Sequence, residues 1–308
     1  MRNGLTNKGI ALLLCMGFLV GCSNASTTGA TELPQPAPTA ELRGQIVFAA
    51  KISEKEDYEL FMLDVQSGDL QQLTDNDYED ISPDFSPDGT KIAYAANPNG
   101  VYDIYLLDVD SLQGTPLLVD GADKSEPVWS ADGETIAYQS NGYGDNDINI
   151  INIAEESVQR LTEEDAQDTQ ANWMVDGKDL VFVSDRDGDF DIYKLSLETG
   201  MATLLLNNND YDASPVCSPD GTKIAFLSKR DGTFNVYMMN TDGTEETALV
   251  QNGATNHSPD WSPDGSELAF ITDTSEGHSG INMIKISSGE VYQILDGYFH
   301  YAGLSWKE

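Results

Sequence analysis

The chain has 308 residues, of which 40% are hydrophobic, and its 52 acidic and 16 basic side chains give a formal net charge of −36. The apolar fraction is sufficient for a folded core and excludes an intrinsically disordered chain despite the charge. The negative charge excludes a nucleic-acid-binding protein, because its surface would repel the phosphate backbone. It is compatible with cationic partners, with divalent cations or simply with a well-solvated acidic surface.

Residues 1–21 have the organisation of an export signal. Arg2 and Lys8 precede an apolar run over residues 10–20, which is too short to span a bilayer but has the length of a signal-peptide core. The run ends in Leu-Val-Gly followed by Cys22, which resembles a bacterial lipobox. The resemblance implies cleavage after residue 21 and a lipid anchor on Cys22, with an uncleaved anchor or a plain secretory signal as the alternative.

The next segment, residues 22–42, begins with the lipidated cysteine and is rich in Ser, Thr, Ala and Pro. It has no apolar periodicity, so we expect a flexible linker that holds a folded domain off the membrane. The folded domain is predicted to occupy residues 43–308. It contains one cysteine, Cys217, so no disulfide can form within it.

The sequence of this domain repeats every 44 residues. The segment 85–94, Phe-Ser-Pro-Asp-Gly-Thr-Lys-Ile-Ala-Tyr, returns with its glycine in register at Gly89, Gly133, Gly177, Gly221 and Gly265. Ser-Pro-Asp-Gly between two apolar runs predicts a tight turn, because proline fixes φ and glycine accepts a positive φ. Each copy therefore predicts a β-hairpin, and a fixed period in the range of roughly 20–50 residues is typical of solenoids and propellers.

Two further elements follow each hairpin with the same period. A third strand is predicted from Glu59, Asp103, Asp147, Asp191 and Asn235 onward, and a short fourth strand near Leu73, Leu117, Leu161, Leu205 and Leu249. Four antiparallel strands per repeat, with no helical periodicity, describe the blade of a β-propeller.

The two ends of the domain complement each other. The N-terminal part supplies strands two to four of a blade, whereas residues 304–306 supply a first strand and then the chain stops. We therefore predict an all-β, six-bladed propeller of four-stranded antiparallel blades, closed by the C-terminal strand. Equivalent inner-strand positions should fill the core between blades; they are Phe85, Trp129, Trp173, Cys217, Trp261 and Trp306.

The repeat resembles that of a known family. The pattern Pro-x-Trp-Ser-Pro-Asp-Gly-x-x-Ile-Ala-Tyr, followed by Asp-Ile-Tyr and Leu-Thr, is similar to the WD-like repeat of the TolB propeller family over residues 44–308. TolB carries an N-terminal α/β domain where this chain has its linker. The resemblance therefore implies a TolB-like lipoprotein without that domain, which we expect to be a monomer. It would be located in the cell envelope, on the periplasmic face or the cell surface, and would bind an envelope protein or glycan.

Signatures of an enzyme are scarce. The sequence has no Gly-x-Ser-x-Gly and no His-Glu-x-x-His, and it is too short for the hydrolase domain of prolyl oligopeptidases, which use related propellers. Oligogalacturonide lyases are propellers that bind a metal through histidines. Because His257 and His300 precede inner strands of adjacent predicted blades, a metal-assisted polysaccharide lyase or hydrolase is the alternative function.

A second set of recurring positions predicts the binding site. The residue three before the proline of each hairpin, or its equivalent, is Asp80, Lys124, Asp168, Asp212, Asn256 and His300. These positions belong to the loops that enter the innermost strands, which surround one mouth of the channel of a propeller. Variable polar residues on a repeated framework are typical of a binding surface, although solvated turns have the same composition.

One loop has the composition of a cation site. Asp185, Asp187, Asp189 and Asp191 alternate around a glycine, and their carboxylates would suit Ca²⁺. Asp191 is also the repeat's own Asp, so an ordinary hairpin is the alternative. No other cofactor is expected.

Overall fold

The computed structural model describes residues 43–51, 57–208, 210–277, 279–297 and 300–308. Cys22, the predicted signal peptide and the linker lie outside the described residues, so the lipid anchor stays a prediction. The described residues form strands, turns and bends without a helix. Accordingly, none of these segments is a helix with the length and hydropathy needed to cross a membrane.

The described chain forms six four-stranded antiparallel sheets, which we number as blades 1 to 6. Blade 1 combines β24 (His300–Lys307) with β1 (Gln45–Lys51), β2 (Glu59–Asp64) and β3 (Leu70–Gln72). Blade 2 contains β4 (Asp80–Phe85), β5 (Lys91–Ala96), β6 (Asp103–Asp108) and β7 (Gln113–Leu118). Blade 3 contains β8 (Lys124–Trp129), β9 (Thr135–Ser140), β10 (Asp147–Asn152) and β11 (Ser157–Arg160).

The remaining blades repeat this order. Blade 4 contains β12 (Asp168–Trp173), β13 (Asp179–Ser184), β14 (Asp191–Ser196) and β15 (Ala202–Leu206). Blade 5 contains β16 (Asp212–Cys217), β17 (Lys223–Ser228), β18 (Asn235–Asn240) and β19 (Thr247–Val250). Blade 6 contains β20 (Thr255–Trp261), β21 (Glu267–Asp273), β22 (Ser279–Lys285) and β23 (Val291–Gly297). The predicted fold class, blade number and strand count are confirmed.

The predicted closure is also confirmed. The last strand, β24, pairs antiparallel with β1, placing Trp306 opposite Ile46 and Ser305 opposite Val47. Each innermost strand (β24, β4, β8, β12, β16, β20) contacts the innermost strands on both sides, so these six strands form a closed ring around the axis. Closure removes two exposed strand edges, which would otherwise pair with other chains.

The core lies between the blades. Six clusters of buried side chains each join residues of two neighbouring blades, and together they go once around the ring. The predicted inner-strand aromatics belong to them: Phe85, Trp129, Trp173, Trp261 and Trp306 are between 5% and 9% exposed. Cys217, at the same position, is a partly buried free thiol. Its burial raises the pKa of the thiol to about 12, as expected for an unreactive packing residue.

Hydrogen bonds join neighbouring innermost strands at three alternate blade boundaries through a side-chain acceptor. Asp84 Oδ2 accepts from Trp129 N at 2.7 Å, Asn172 Oδ1 from Cys217 N at 3.1 Å and Asp260 Oδ2 from Trp306 N at 2.7 Å. Two of the intervening boundaries use a backbone acceptor instead. Trp173 Nε1 donates to Val128 O at 3.1 Å, and Trp261 Nε1 donates to Val216 O at 3.1 Å.

Deletion of residues 303–308 should destabilise the whole propeller, because blade 1 loses its innermost strand and the ring opens. The point variant Trp306→Ala tests the same contact in a chain of unchanged length. Its side chain is 7% exposed, so we expect a loss of about 3–5 kcal/mol in the free energy of unfolding. Val291→Ala, at a position 45% exposed, is the control and should change it little. Unchanged denaturant midpoints for both the deletion and Trp306→Ala would contradict the closure.

Candidate functional site

The innermost strands of blades 2 to 6 all begin on one face of the propeller, which we call the mouth face. Five connecting loops on this face lead from the outermost strand of one blade to the innermost strand of the next. They are residues 73–79, 119–123, 161–167, 207–211 and 251–254. Together they contain nine Asp or Glu residues and no Lys or Arg. The mouth face therefore presents acidic loops on a rigid frame.

The predicted binding residues are the first or second residues of the six innermost strands, and most of their side chains are buried. Asp80, Lys124, Asp168, Asp212 and Asn256 are at most 1% exposed. Only His300 has an exposed side chain. The five buried positions lie at the start of the innermost strands rather than in the loops that enter them, so their side chains are beneath the mouth face and the connecting loops before them form the surface. Whether the positions contribute to binding stays a prediction.

The backbone explains why these positions recur. At the five buried positions, the amide donates across the blade boundary to a carbonyl of the preceding blade, as Lys124 N does to Tyr102 O at 2.9 Å and Asp168 N to Asn146 O at 2.8 Å. This bond does not depend on the side chain. Different side chains can therefore occupy the position as long as nearby side chains compensate them.

The compensation differs from blade to blade. Lys124 Nζ lies 3.1 Å from Asp103 Oδ1, forming a buried ion pair, and it also contacts Asp120 at the surface. Asp168 accepts two hydrogen bonds from Arg186 at 3.0 and 3.1 Å. The corresponding pair in blades 5 and 6, Asn235 and Asn256, carries no charge.

Asp212 and Asp191 are compensated less completely. Asp212 accepts from Asn208 Nδ2 at 2.6 Å, and the Arg230 guanidinium lies 3.6 Å away. Asp191 is 1% exposed, and its Oδ2 has no hydrogen-bond partner in the part of the chain that the structure describes. Burial raises the pKa of Asp191 to about 6, and the nearby charges of Asp189 and Asp212 contribute to the rise.

Three of the four carboxylates of the predicted Ca²⁺ loop have different surroundings. Asp185 Oδ1 accepts from Gln167 N at 2.8 Å, Asp187 Oδ2 accepts from Tyr193 Oη at 2.6 Å, and Asp191 is turned into the protein. Within the described ranges, no three His, Cys, Asp or Glu residues are arranged to hold a metal ion. The hairpin therefore accounts for this loop, and Ca²⁺ binding stays a prediction without support from the geometry.

The two histidines of the alternative function lie near one carboxylate. His257 Nε2 is 3.2 Å from Asp273 Oδ2, and its Nδ1 is 3.2 Å from Ser258 Oγ. The hydrogen bond from His257 lowers the pKa of Asp273, and the charge of His300 makes a smaller contribution in the same direction. The prediction that these two histidines approach a common place is consistent with this arrangement, although the bond to Asp273 occupies the His257 nitrogen.

A ring of strained residues lies two or three positions inside the mouth face. Each innermost strand has one residue with positive φ; we call these six residues the bulge ring. They are Ser82 (φ 51°), Glu126 (52°), Gln170 (53°), Ser214 (47°), Ser258 (49°) and Gly303 (80°). The strand register shifts beside the five non-glycine positions. A non-glycine residue in this conformation costs on the order of 1–3 kcal/mol and is common at functional sites, where bulges redirect side chains.

The sequence analysis missed the bulge ring. A signal was present, because a polar residue precedes the recurring proline or its equivalent in every complete repeat. The period alone, however, does not reveal a left-handed backbone. Glycine at residue 303 has a packing reason as well, since a Cβ there would lie 3.0 Å from Ser82 Cα.

Several carboxylates in the innermost strands have raised pKa values because protein atoms surround them. Burial raises the pKa of Asp84 to about 6 and those of Glu126 and Asp260 to about 7. The pKa of Asp80, beneath the mouth face, reaches about 7 for the same reason. The neutral form of these groups is therefore relatively favoured in the folded state.

Aromatic side chains form two features of the mouth face. Tyr211, which is 39% exposed, packs between Phe190 and Phe234 with ring centroids 4.7 and 5.3 Å apart; we call these three residues the aromatic cluster. On the opposite side of the mouth, Tyr78 lines a shallow recess of about 450 Å³ whose other walls include Asp77 and Glu79.

Replacing Lys124 by Met should destabilise the fold, because Asp103 would remain buried without its cation. We expect a loss of about 3–5 kcal/mol in the free energy of unfolding. The double variant Asp103→Asn, Lys124→Asn recreates the uncharged pair of blades 5 and 6 and should recover most of that loss. Chemical denaturation of the three proteins gives the comparison, and a double variant as unstable as Lys124→Met would contradict the role assigned to the ion pair.

The chain should become more stable on mild acidification. The folded chain binds more protons than the unfolded chain between about pH 4 and pH 7, because the raised pKa values belong to the folded state. The free energy of unfolding therefore falls as pH rises through this window. We expect the Tm at pH 5.5 to exceed that at pH 8. Each kcal/mol of difference in the free energy of unfolding should shift the Tm by about 2–4 °C.

The variant Asp260→Asn tests the origin of this pH dependence. It introduces the residue that blade 4 carries at the equivalent position, Asn172, whose side chain accepts the same kind of bond across the blade boundary. Removing one titrating carboxylate should weaken the dependence of Tm on pH. A Tm of the parent chain that rises between pH 5.5 and pH 8 would contradict the assignment.

Comparison with known proteins gives the family. The family model of the TolB beta propeller domain matches residues 38–228 and 197–306. No curated protein sequence matches the chain. TolB from Acinetobacter baumannii has a TM-score of 0.77 at 22% identity, with 85% of this chain and 66% of that chain covered. Putative TolB from Agrobacterium tumefaciens has a TM-score of 0.70 at 18% identity, with 86% and 99% covered.

Enzymes share the architecture as well. An oligogalacturonate lyase in complex with manganese has a TM-score of 0.56 at 18% identity, with 83% of this chain and 74% of that chain covered. At these identities, the likeness to each solved structure concerns the fold alone. The family model, by contrast, extends over nearly all of the repeats, and the chain therefore belongs to the TolB beta propeller domain family.

Proposed function

We propose that the chain is a non-catalytic binding module of the cell envelope, held to a membrane by a lipid on Cys22, that binds a protein partner through its mouth face. The observation that carries this proposal is that the strands repeat in sequence whereas the connecting loops of the mouth face do not. Strands and turns repeat with a fixed period, while the connecting loops differ in sequence and are acidic as a group. Variable loops on a rigid scaffold are a usual basis of recognition.

The envelope location rests on the predicted lipobox and on the resemblance to TolB. A protein partner is favoured over a glycan because the mouth face combines nine acidic residues with no basic residue in its connecting loops. Such a surface complements a basic protein segment, and complementary charge speeds and orients association. Neutral glycans gain nothing from this charge.

The lyase alternative finds less support. His257 is bonded to Asp273, and the described residues contain no set of three His, Cys, Asp or Glu ligands arranged for a metal ion. The solved lyase also has a lower TM-score than the two TolB structures.

In-cell crosslinking followed by purification of the full-length chain tests the proposal. The test variant removes three exposed mouth-face charges, Asp77→Asn, Glu163→Gln and Asp165→Asn. The control removes three exposed charges from the opposite face, Asp110→Asn, Glu134→Gln and Glu198→Gln, so that the net charge is the same. We expect a protein captured by the parent and the control to be lost by the test variant. Equal capture by all three chains would contradict binding at the mouth face.

A further inference from the structure

Three side chains of blade 6 form a hydrogen-bonded series just inside the mouth face. Ser258 Oγ lies 3.2 Å from His257 Nδ1, and His257 Nε2 lies 3.2 Å from Asp273 Oδ2. Asp273 is held in turn, because Ser279 Oγ donates to its other carboxylate oxygen, Oδ1. A hydroxyl, an imidazole and a carboxylate in this order are the groups by which an imidazole activates a serine as a nucleophile.

The bulge brings the hydroxyl and the imidazole together. Consecutive side chains of a regular strand point to opposite faces of the sheet, so a hydroxyl would normally turn away from the imidazole before it. Ser258 has a φ of 49°, and the register of β20 with β21 shifts between His257 and Asp260. The left-handed residue therefore allows the two consecutive side chains to share one side of the strand, where Oγ and Nδ1 meet.

The carboxylate decides which imidazole nitrogen can take a proton. An ionised carboxylate accepts hydrogen bonds and donates none, and the hydrogen bond from His257 lowers the pKa of Asp273, which favours its ionised form. His257 Nε2 therefore carries the hydrogen in this bond. In the neutral ring Nδ1 is then the acceptor, so the Ser258 hydroxyl donates to it. Removal of the Ser258 proton by the imidazole requires this orientation.

Solvent reaches this group of side chains. The side chain of His257 is 26% exposed and that of Asp273 is 44% exposed, and Ser258 is partly exposed. The two neighbouring positions of the bulge ring carry Ser214 and Gly303, so no long side chain extends over Ser258 from either of them. A small neutral electrophile can approach from the mouth face, whereas the acidic connecting loops disfavour an anionic one.

We propose that Ser258 is a nucleophile that accepts an acyl group from a small, neutral activated ester, with His257 as its base and Asp273 as the positioning residue. In this step the bond from Oγ to the carbonyl carbon forms, and the Oγ proton passes to His257 Nδ1. The bond from the carbonyl carbon to the leaving oxygen breaks, and the leaving group takes the proton from Nδ1 and departs as an alcohol. This modification goes beyond the proposed function, because it needs neither a protein partner nor turnover.

The bulge ring supplies matched controls for this site. Ser82 and Ser214 occupy the equivalent positions with φ values of 51° and 47°, but Ile81 and Ala213 precede them instead of a histidine. These two serines share the backbone conformation of Ser258 and lack its neighbouring imidazole. A difference in reactivity among the three serines therefore reports the imidazole rather than the bulge.

Peptide mass spectrometry of the full-length chain after incubation with p-nitrophenyl acetate tests the site. Diisopropyl fluorophosphate, which loses fluoride when Oγ attacks phosphorus, is the second probe and gives a stable adduct. We expect one acetyl or phosphoryl group on Ser258, formed at least about tenfold faster than on Ser82 or Ser214, because a positioned base contributes about 10²–10⁴-fold. Equal labelling of the three serines, or no adduct on Ser258 with either probe, would overturn the proposal.

Two variants identify the groups that activate Ser258. His257→Ala introduces the alanine that blade 5 carries at this position, and Asp273→Asn introduces the asparagine of blades 2 and 3, so the fold should tolerate both. His257→Ala should slow labelling of Ser258 at least about tenfold, and Asp273→Asn should slow it as well, because an amide does not fix the Nε2–H tautomer. Labelling of Ser82 and Ser214 and the Tm should stay as in the parent, which separates loss of the base from loss of the fold. Labelling of Ser258 at the parent rate in His257→Ala would refute the proposal.

Discussion

The pairing of β24 with β1 is the contact on which the rest of the molecule depends. Each blade buries its faces against the blades on either side, so the six core clusters are complete only when the ring is closed. The closing strand is bonded on both sides: Asp260 accepts from Trp306 N, and Ser305 Oγ donates to Asp84 Oδ1 at 2.8 Å. The two most distant parts of the described chain are thus joined at the centre, where the channel and its mouth are formed.

The acidic composition has different consequences at the surface and in the interior. At the surface, carboxylates are solvated or bond to nearby turns, as Asp88 does to Thr90 and Ser86. Below the mouth face, each buried carboxylate needs an arginine, a lysine, an amide or a proton. Asp168 has Arg186, whereas the pKa of Asp80 rises to about 7 as burial favours its neutral form. A uniform backbone bond at these positions allows the side-chain chemistry to vary from blade to blade.

The bulge ring concentrates backbone strain just inside the mouth face. Five non-glycine residues keep a left-handed backbone because the flanking strands fix it on both sides, and the sixth position has glycine where β24 approaches β4 closely.

The architecture could be predicted from the amino-acid sequence, because a period of 44 residues, a repeated Ser-Pro-Asp-Gly turn and complementary chain ends favour one closed arrangement of six blades. The aromatic core and the mouth-face ends of the innermost strands followed from the same repeat. Which side chains are exposed there emerged from the folded ring alone, since Asp80 and Lys124 are covered by loops whose packing no local pattern encodes. The same holds for the bulge ring and the contact of Tyr211 with its neighbours: both bring together residues of different blades, and their geometry depends on how the blades pack around the axis.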